Sequence, residues 1–128
     1  MNREIKFRAK CKDNGEWVYG SYIQSYNEQD WIVQDGDFFA VDSDTAGQFT
    51  EFHDKDGKEI YEGDILCDVP LNVKYFIFYS HLKLALCFAN LEDMDENSKT
   101  YNILFRVDRH GKVLGNKYDN PELLKIKH

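Results

Sequence analysis

The fold class is decided by one stretch of the sequence, residues 31–41, which reads Trp-Ile-Val-Gln-Asp-Gly-Asp-Phe-Phe-Ala-Val. Two apolar runs, rich in β-branched and aromatic residues, flank the dipeptide Asp35-Gly36. Asp and Gly tolerate the positive φ angles that a two-residue hairpin turn requires. The stretch therefore predicts an antiparallel hairpin.

The same pattern continues on both sides of this hairpin. Upstream, Ile5, Phe7 and Ala9 alternate with basic residues, and an Asn-Gly turn at 14–15 leads into a second apolar run at 17–23. Downstream, apolar alternation recurs at 49–52, 60–69, 73–79, 82–88 and 101–107. Repeated short alternation separated by turn residues is typical of antiparallel strands. The sequence predicts a mainly β protein, folded as a small barrel or as two packed sheets.

The last part of the chain predicts a short C-terminal helix. Asn120 can cap free N–H groups, Pro121 suits the first helical position, and Glu122 complements the helix dipole. No linker or repeat interrupts the chain. We expect a single domain over residues 1–128, with residues 1–41 as a candidate N-terminal hairpin subdomain.

Composition excludes several classes of protein. A hydrophobic content of 42% in 128 residues is enough for a core, which excludes a disordered chain. No apolar run approaches the ~20 residues of a membrane span, and the first residues contain no apolar signal segment. The sequence therefore predicts a cytoplasmic protein without membrane contact.

Charge disfavours binding to nucleic acid. The net charge is −7, and residues 13–64 contain fourteen acids but two basic residues. Such a surface repels phosphate. A nucleic-acid-associated β module remains an alternative, and its contact would have to come from the basic N-terminal strand, with Lys6, Arg8, Lys10 and Lys12.

The three cysteines, Cys11, Cys67 and Cys87, are odd in number and form no CxxC pair. Reduced thiols in a reducing compartment are the simplest interpretation. A zinc site built from Cys67, Cys87 and a histidine stays open as an alternative, but the spacing that zinc sites use is absent. We predict no cofactor.

One acidic cluster is a candidate site for chemistry. Glu59, Glu62 and Asp64 lie close in sequence, and Glu62 and Asp64 would share one face of a strand. Such a pair could share a proton or hold a hard cation, whereas the alternative is a charged edge that discourages strand pairing. An EF-hand-like run at 93–97 lacks the required Gly and Glu further along. No nucleophile elbow, P-loop or dinucleotide motif occurs. The protein is therefore predicted not to be an enzyme, with a metal-dependent hydrolase as the least favoured alternative.

Aromatic residues supply a candidate interaction surface. In the stretch containing Tyr75, Phe76, Phe78 and Tyr79, both faces of the predicted strand are apolar. Such a strand lies either between two layers or at a subunit contact. The second interpretation predicts a homo-oligomer.

Three segments together resemble the YopX family. They are residues 3–9 (Arg-Glu-Ile-Lys-Phe-Arg-Ala), residues 45–50 with 54–65 (Thr-Ala-Gly-Gln-Phe-Thr and Asp-Lys-Asp-Gly-Lys-Glu-Ile-Tyr-Glu-Gly-Asp-Ile), and residues 113–124 (Val-Leu-Gly-Asn-Lys-Tyr-Asp-Asn-Pro-Glu-Leu-Leu). One departure is Glu51-Phe52, where the family more often has Gly-Leu.

The resemblance implies a small, mostly β protein encoded by bacteriophages or prophages, with no catalytic residues to carry over. It also implies turn positions at Gly57 and Gly63, and an SH3-like small barrel with Ile60, Tyr61, Ile65 and Leu66 in its walls. We therefore expect an accessory protein of the bacterial cytoplasm. It would bind a second copy of itself or an unidentified phage or host protein.

Overall fold

The computed structural model describes residues 5–25, 27, 29–69, 73–80, 85–90, 100–101 and 110–124. The mainly β, antiparallel prediction is confirmed. Ten strands lie in the described part of the chain: Phe7–Cys11 (β1), Trp17–Ile23 (β2), Asp30–Gln34 (β3), Asp37–His53 (β4), Glu59–Tyr61 (β5), Asp64–Asp68 (β6), Val73–Ser80 (β7), Ala85–Asn90 (β8), Thr100–Tyr101 (β9) and Gly111–Asn116 (β10). No helix in these residues is long and apolar enough to cross a membrane.

The chain divides into two compact units, residues 1–49 and 50–128, with the boundary inside β4. In the first unit β1 pairs with β2 on one side and with β4 on the other. Strand β3 joins β2 to β4, so the four strands close into a ring. The hairpin predicted at Asp35-Gly36 is confirmed, with φ angles of 52° and 86° at its two turn residues.

The inward positions of this ring form the core of the first unit. Ala9, Cys11, Val18, Ile32 and Val41 are buried there, and each sits at an inward position of its strand's alternation. Burying an apolar side chain of the size of Ile32 contributes about 1.5–3 kcal/mol to stability. Cys11 is therefore a core residue, as free cysteines commonly are.

The pairing of β1 with β4 is interrupted by a bulge between Arg8 and Lys10. The hydroxyl of Thr45 accepts the Lys10 N–H at 2.8 Å and donates to the Asp42 carbonyl at 2.6 Å. A side chain thus supplies the hydrogen bonds that the backbone ladder loses at this point.

The second unit contains a sheet in the order β10-β6-β7-β8-β9. Strand β7 is central, and the residues on its two faces enter different clusters. Ile77 packs with Leu66 and Ile60 on one face. Phe76 packs with Ile65 on the other. Of the wall residues expected from the resemblance, Ile60, Tyr61, Ile65 and Leu66 are all buried.

The predicted C-terminal helix is a single 3-10 turn, Pro121–Leu124. Asn120 does not cap this turn with its side chain, as the sequence predicts, but with its backbone carbonyl. Its side-chain oxygen accepts the Asn116 N–H at 3.2 Å, while its backbone carbonyl accepts the Leu123 N–H. The side chain therefore closes the turn after β10 rather than the start of a helix.

Candidate functional site

The central motif is the segment at residues 54–65, and two of its aspartates accept hydrogen bonds from backbone groups of their own chain. Asp54 is buried, and one of its oxygens accepts the N–H groups of Asp56 and Lys58 at 2.9 Å each. The other oxygen accepts the N–H of Val113 in β10 at 3.0 Å. Gly57, in the same turn, has a φ of 86°, as its expected turn position requires. The motif thus joins the β4–β5 turn to the edge of the second sheet.

Hydrogen bonding also sets the pKa of Asp54. Burial by itself raises the pKa of this carboxyl. The backbone donors of Val113, Lys58 and Asp56, together with the charge of Lys58, outweigh that effect and hold the pKa below its usual value.

The candidate acidic cluster does not form a shared face. Asp64 is 1% exposed, and its carboxylate accepts the Tyr61 N–H at 2.8 Å. Glu59 accepts the Tyr61 hydroxyl at 2.9 Å. Glu62 lies in the turn between β5 and β6, next to Gly63 with a φ of 94°, so the prediction that Glu62 and Asp64 share a strand face is wrong. A turn replaces the strand because Gly63 takes a conformation that extended strands do not use.

Among the described residues, no group of three His, Cys, Asp or Glu side chains could hold a metal ion. Cys67 is half-buried in β6. The side chain of Cys87 and the run at 93–97 lie outside the described part of the chain.

The closing motif is the segment at residues 113–124, and its polar side chains also hydrogen-bond to groups of their own chain. The Asn116 side-chain oxygen accepts the N–H groups of Tyr118 and Asp119 at 3.0 and 2.9 Å. A β-carbon added at Gly115 would overlap the side chain of Asn120. The turn that follows β10 therefore explains why Gly115, Asn116 and Asn120 occupy these positions.

The aromatic residues of β7 are distributed between two cores. Phe76 is buried and stacks with half-buried Phe78, whose centroid is 6.1 Å away, and Leu123 and Leu124 pack against this cluster. Tyr75 packs on the opposite face. Tyr79 is the exposed member, at 37%. Both faces of β7 are apolar because it is a central strand.

Exposed apolar side chains cluster instead on the first unit. Phe38, Ile23 and Tyr19 are 64%, 40% and 38% exposed. On the outward face, Val33 pairs with Phe38, and Ile23 pairs with Trp31. Tyr19 lies diagonally from Val33, within the reach of an aromatic side chain. We call this set, Tyr19, Ile23, Trp31, Val33 and Phe38, the outer patch.

Sequence reasoning missed the outer patch although a signal was present. Phe38 and Phe39 are adjacent in a strand whose inner face is fixed by Val41, so one of the two must face outward. The alternation from Val41 assigns the outward position to Phe38.

Basic residues in β1 and directly before it contact aromatic rings of their own chain. Arg8 lies 4.6 Å and Lys10 5.5 Å from the ring centroid of Trp17. Lys6 lies 5.2 Å from that of Phe49. Arg8 is buried, and Lys6 and Lys10 are half-buried. Three of the four cations that a nucleic-acid contact would need are thus partly withdrawn from the surface.

Tyr22 forms a polar contact at the border of the first core. Its hydroxyl donates to the Asp30 carboxylate. Burial, this hydrogen bond, and the charges of Asp30 and Asp42 all raise the pKa of Tyr22. The phenol therefore stays protonated and holds β2 to the start of β3.

Comparison with known proteins gives a family and a similar fold. A family model described as YopX protein matches residues 6–125. The crystal structure of protein EF1440 from Enterococcus faecalis is similar, with a TM-score of 0.54 and 22% identity over 97% of this chain and 100% of that chain. At this identity the likeness concerns the fold alone. Among curated proteins, no sequence matches this chain.

Proposed function

The chain belongs to the YopX family, and from that premise we propose that it is a phage or prophage accessory protein of the bacterial cytoplasm, acting as a non-enzymatic, self-associating protein-interaction module. The observation that carries the proposal is the outer patch. In the outer patch, exposed Tyr19, Ile23 and Phe38 adjoin half-buried Trp31 and Val33. Neighbouring apolar side chains at the surface mark interaction sites, because leaving them in water is unfavourable. Phe38, at 64% exposure, is the most exposed member of the outer patch.

The chemistry of the family motifs supports a non-enzymatic role. Asp54, Asp64 and Asn116 each accept backbone N–H groups of their own chain. These hydrogen bonds explain why two carboxylates and an amide occupy these positions, and the explanation needs no catalytic role for them. The side chains of Arg8 and Lys6 likewise contact Trp17 and Phe49, which gives the nucleic-acid alternative no specific support.

The test is native mass spectrometry of untagged protein at tens of micromolar. We expect an assembly of a whole number of 15.1 kDa chains. Phe38→Ser should shift it toward monomer, because a polar residue in place of the most exposed side chain of the outer patch weakens the apolar contact. Far-UV circular dichroism should be unchanged, since this side chain is largely outside the core.

Tyr79→Ser is the matched control, since Tyr79 is an exposed aromatic residue on the second unit. Its assembly should equal that of the wild type. If Tyr79→Ser dissociates the assembly and Phe38→Ser does not, the contact lies on β7 and the outer patch is not the interface. A wild-type monomer would overturn self-association, and a bound metal or nucleotide would overturn the non-enzymatic role.

A further inference from the structure

We propose that the copies associate head to tail, so that the outer patch of one copy binds a lysine-bordered face on the second unit of another. This inference rests on the proposed self-association and names the two surfaces that meet. It follows from the distribution of charge around the two exposed apolar regions.

The outer patch ends at an acidic hairpin tip. Asp35 and Asp37 flank Gly36 at the β3–β4 turn, both are exposed, and Phe38 follows directly. Exposed acids outnumber exposed bases in the first unit as a whole. Among the described residues of the first unit, the exposed charged side chains are Lys12 and six carboxylates, Asp13, Glu16, Asp35, Asp37, Asp42 and Asp44.

The second unit carries positive charge on one face of its sheet. Cys67 in β6 is paired with Lys74 of β7 on one side and with Lys112 of β10 on the other. The two lysines are exposed and, with neighbouring strands about 4.8 Å apart, lie roughly 10 Å from each other. Val69, two residues beyond Cys67, is 47% exposed. We call Lys74, Cys67, Lys112 and Val69 the basic row.

These two surfaces are complementary in charge, whereas the hairpin tip is not complementary to itself. A contact that places two hairpin tips side by side would bring their carboxylates together. A contact between the outer patch and the basic row instead pairs Asp35 and Asp37 with lysines, and apolar Phe38 with Val69. Complementary charge fixes register and suppresses wrong partners. A contact between different surfaces of the two copies is heterologous, so it produces closed rings or open chains.

The experiment exchanges the charges. A tip variant, Asp35→Asn with Asp37→Lys, keeps a residue that tolerates the positive φ of position 35. A row variant is Lys74→Glu with Lys112→Glu. Each alone should associate at least about tenfold more weakly than the wild type, the scale expected for reversing close charge pairs. An equimolar mixture of the two should regain assembly, with both variants present in each particle, because their charges are again complementary.

Two matched controls reverse exposed charges outside these surfaces, Asp44→Lys in the first unit and Lys117→Glu in the second. Both should assemble as the wild type does. A row variant that still assembles like the wild type, or a mixture that stays monomeric, overturns the head-to-tail contact while self-association stands. A wild-type monomer removes the proposed function itself, so the two failures are distinguishable.

Discussion

The carboxylate of Asp54 accepts the backbone N–H of Val113, which is 59 residues further along the chain. Next to this bond, the N–H of Lys55 donates to the Gly111 carbonyl at 2.9 Å. The β4–β5 turn therefore occupies backbone groups at the edge of β10 that a strand of another chain could otherwise pair with. Covering an edge in this way is a common protection against uncontrolled strand pairing.

Replacing Asp54 with Asn should destabilise the protein at neutral pH. The amide keeps one oxygen acceptor but presents an N–H₂ group to one of the three backbone donors. Losing a hydrogen bond to a charged group and leaving a buried donor unpaired costs about 1.5–3 kcal/mol. Urea unfolding at pH 7 measures this difference. Asp56→Asn, at an exposed position of the same turn, is the control and should be close to neutral.

The Asp54 contribution should also depend on pH. Because the folded-state pKa is lowered, the stabilisation is fully present above the unfolded pKa of about 3.9 and is lost as the pH falls through the folded value. The difference in unfolding free energy between wild type and Asp54→Asn should therefore shrink as the pH falls below about 4. A difference in unfolding free energy that is constant from pH 7 to pH 3 would show that the charge of Asp54 does not cause the stabilisation.

Local features of this fold could be predicted from sequence, and distant ones could not. The Asp35-Gly36 hairpin was predictable because its turn type depends on the two residues themselves. The role of Asp54 depends on Val113, and periodicity carries no information about that pairing. Apolar character on both faces of β7 fits a central strand and an interface alike. The β6–β7–β8 pairing shows that β7 is a central strand, which sequence periodicity alone does not reveal.

Glu51 occupies a backbone conformation that favours glycine, with a φ of 73°. This is the position at which the sequence departs from the Gly that the family more often has. A non-glycine residue in the left-handed region is strained by about 1–2 kcal/mol, and the greater unfolded-state freedom of Gly offsets part of the relief. Glu51→Gly should therefore raise stability by about 0.5–1 kcal/mol, measured by thermal and urea unfolding. Glu51→Ala keeps the strain, so a similar gain from Ala would contradict the explanation.

Gly20 allows β2 to approach β3 closely. Its φ is 157°, and a β-carbon at this position would overlap the backbone carbonyl of Val33. Since the obstacle is backbone rather than a movable side chain, Gly20→Ala should destabilise the first unit by about 1–3 kcal/mol or more. Both tryptophans of the chain, at 17 and 31, lie in that unit, so tryptophan fluorescence follows its unfolding. Ser21→Ala, at the adjacent exposed position, should unfold at the same midpoint as the wild type when followed by tryptophan fluorescence.

Tyr22→Phe tests the polar contact between β2 and β3. At pH 8 the variant should be less stable by about 1–2 kcal/mol, because Asp30 loses a hydroxyl donor. The folded-state pKa of Tyr22 is raised, so its stabilisation is fully present below the unfolded pKa of about 10 and is lost as the pH rises toward the folded value. The advantage of the wild type over Tyr22→Phe should accordingly narrow between pH 8 and pH 11 in urea unfolding. Tyr19→Phe, on the same strand but exposed, should track the wild type at both pH values. If the Tyr22→Phe difference is instead the same at pH 11 as at pH 8, ionisation of Tyr22 is not linked to folding.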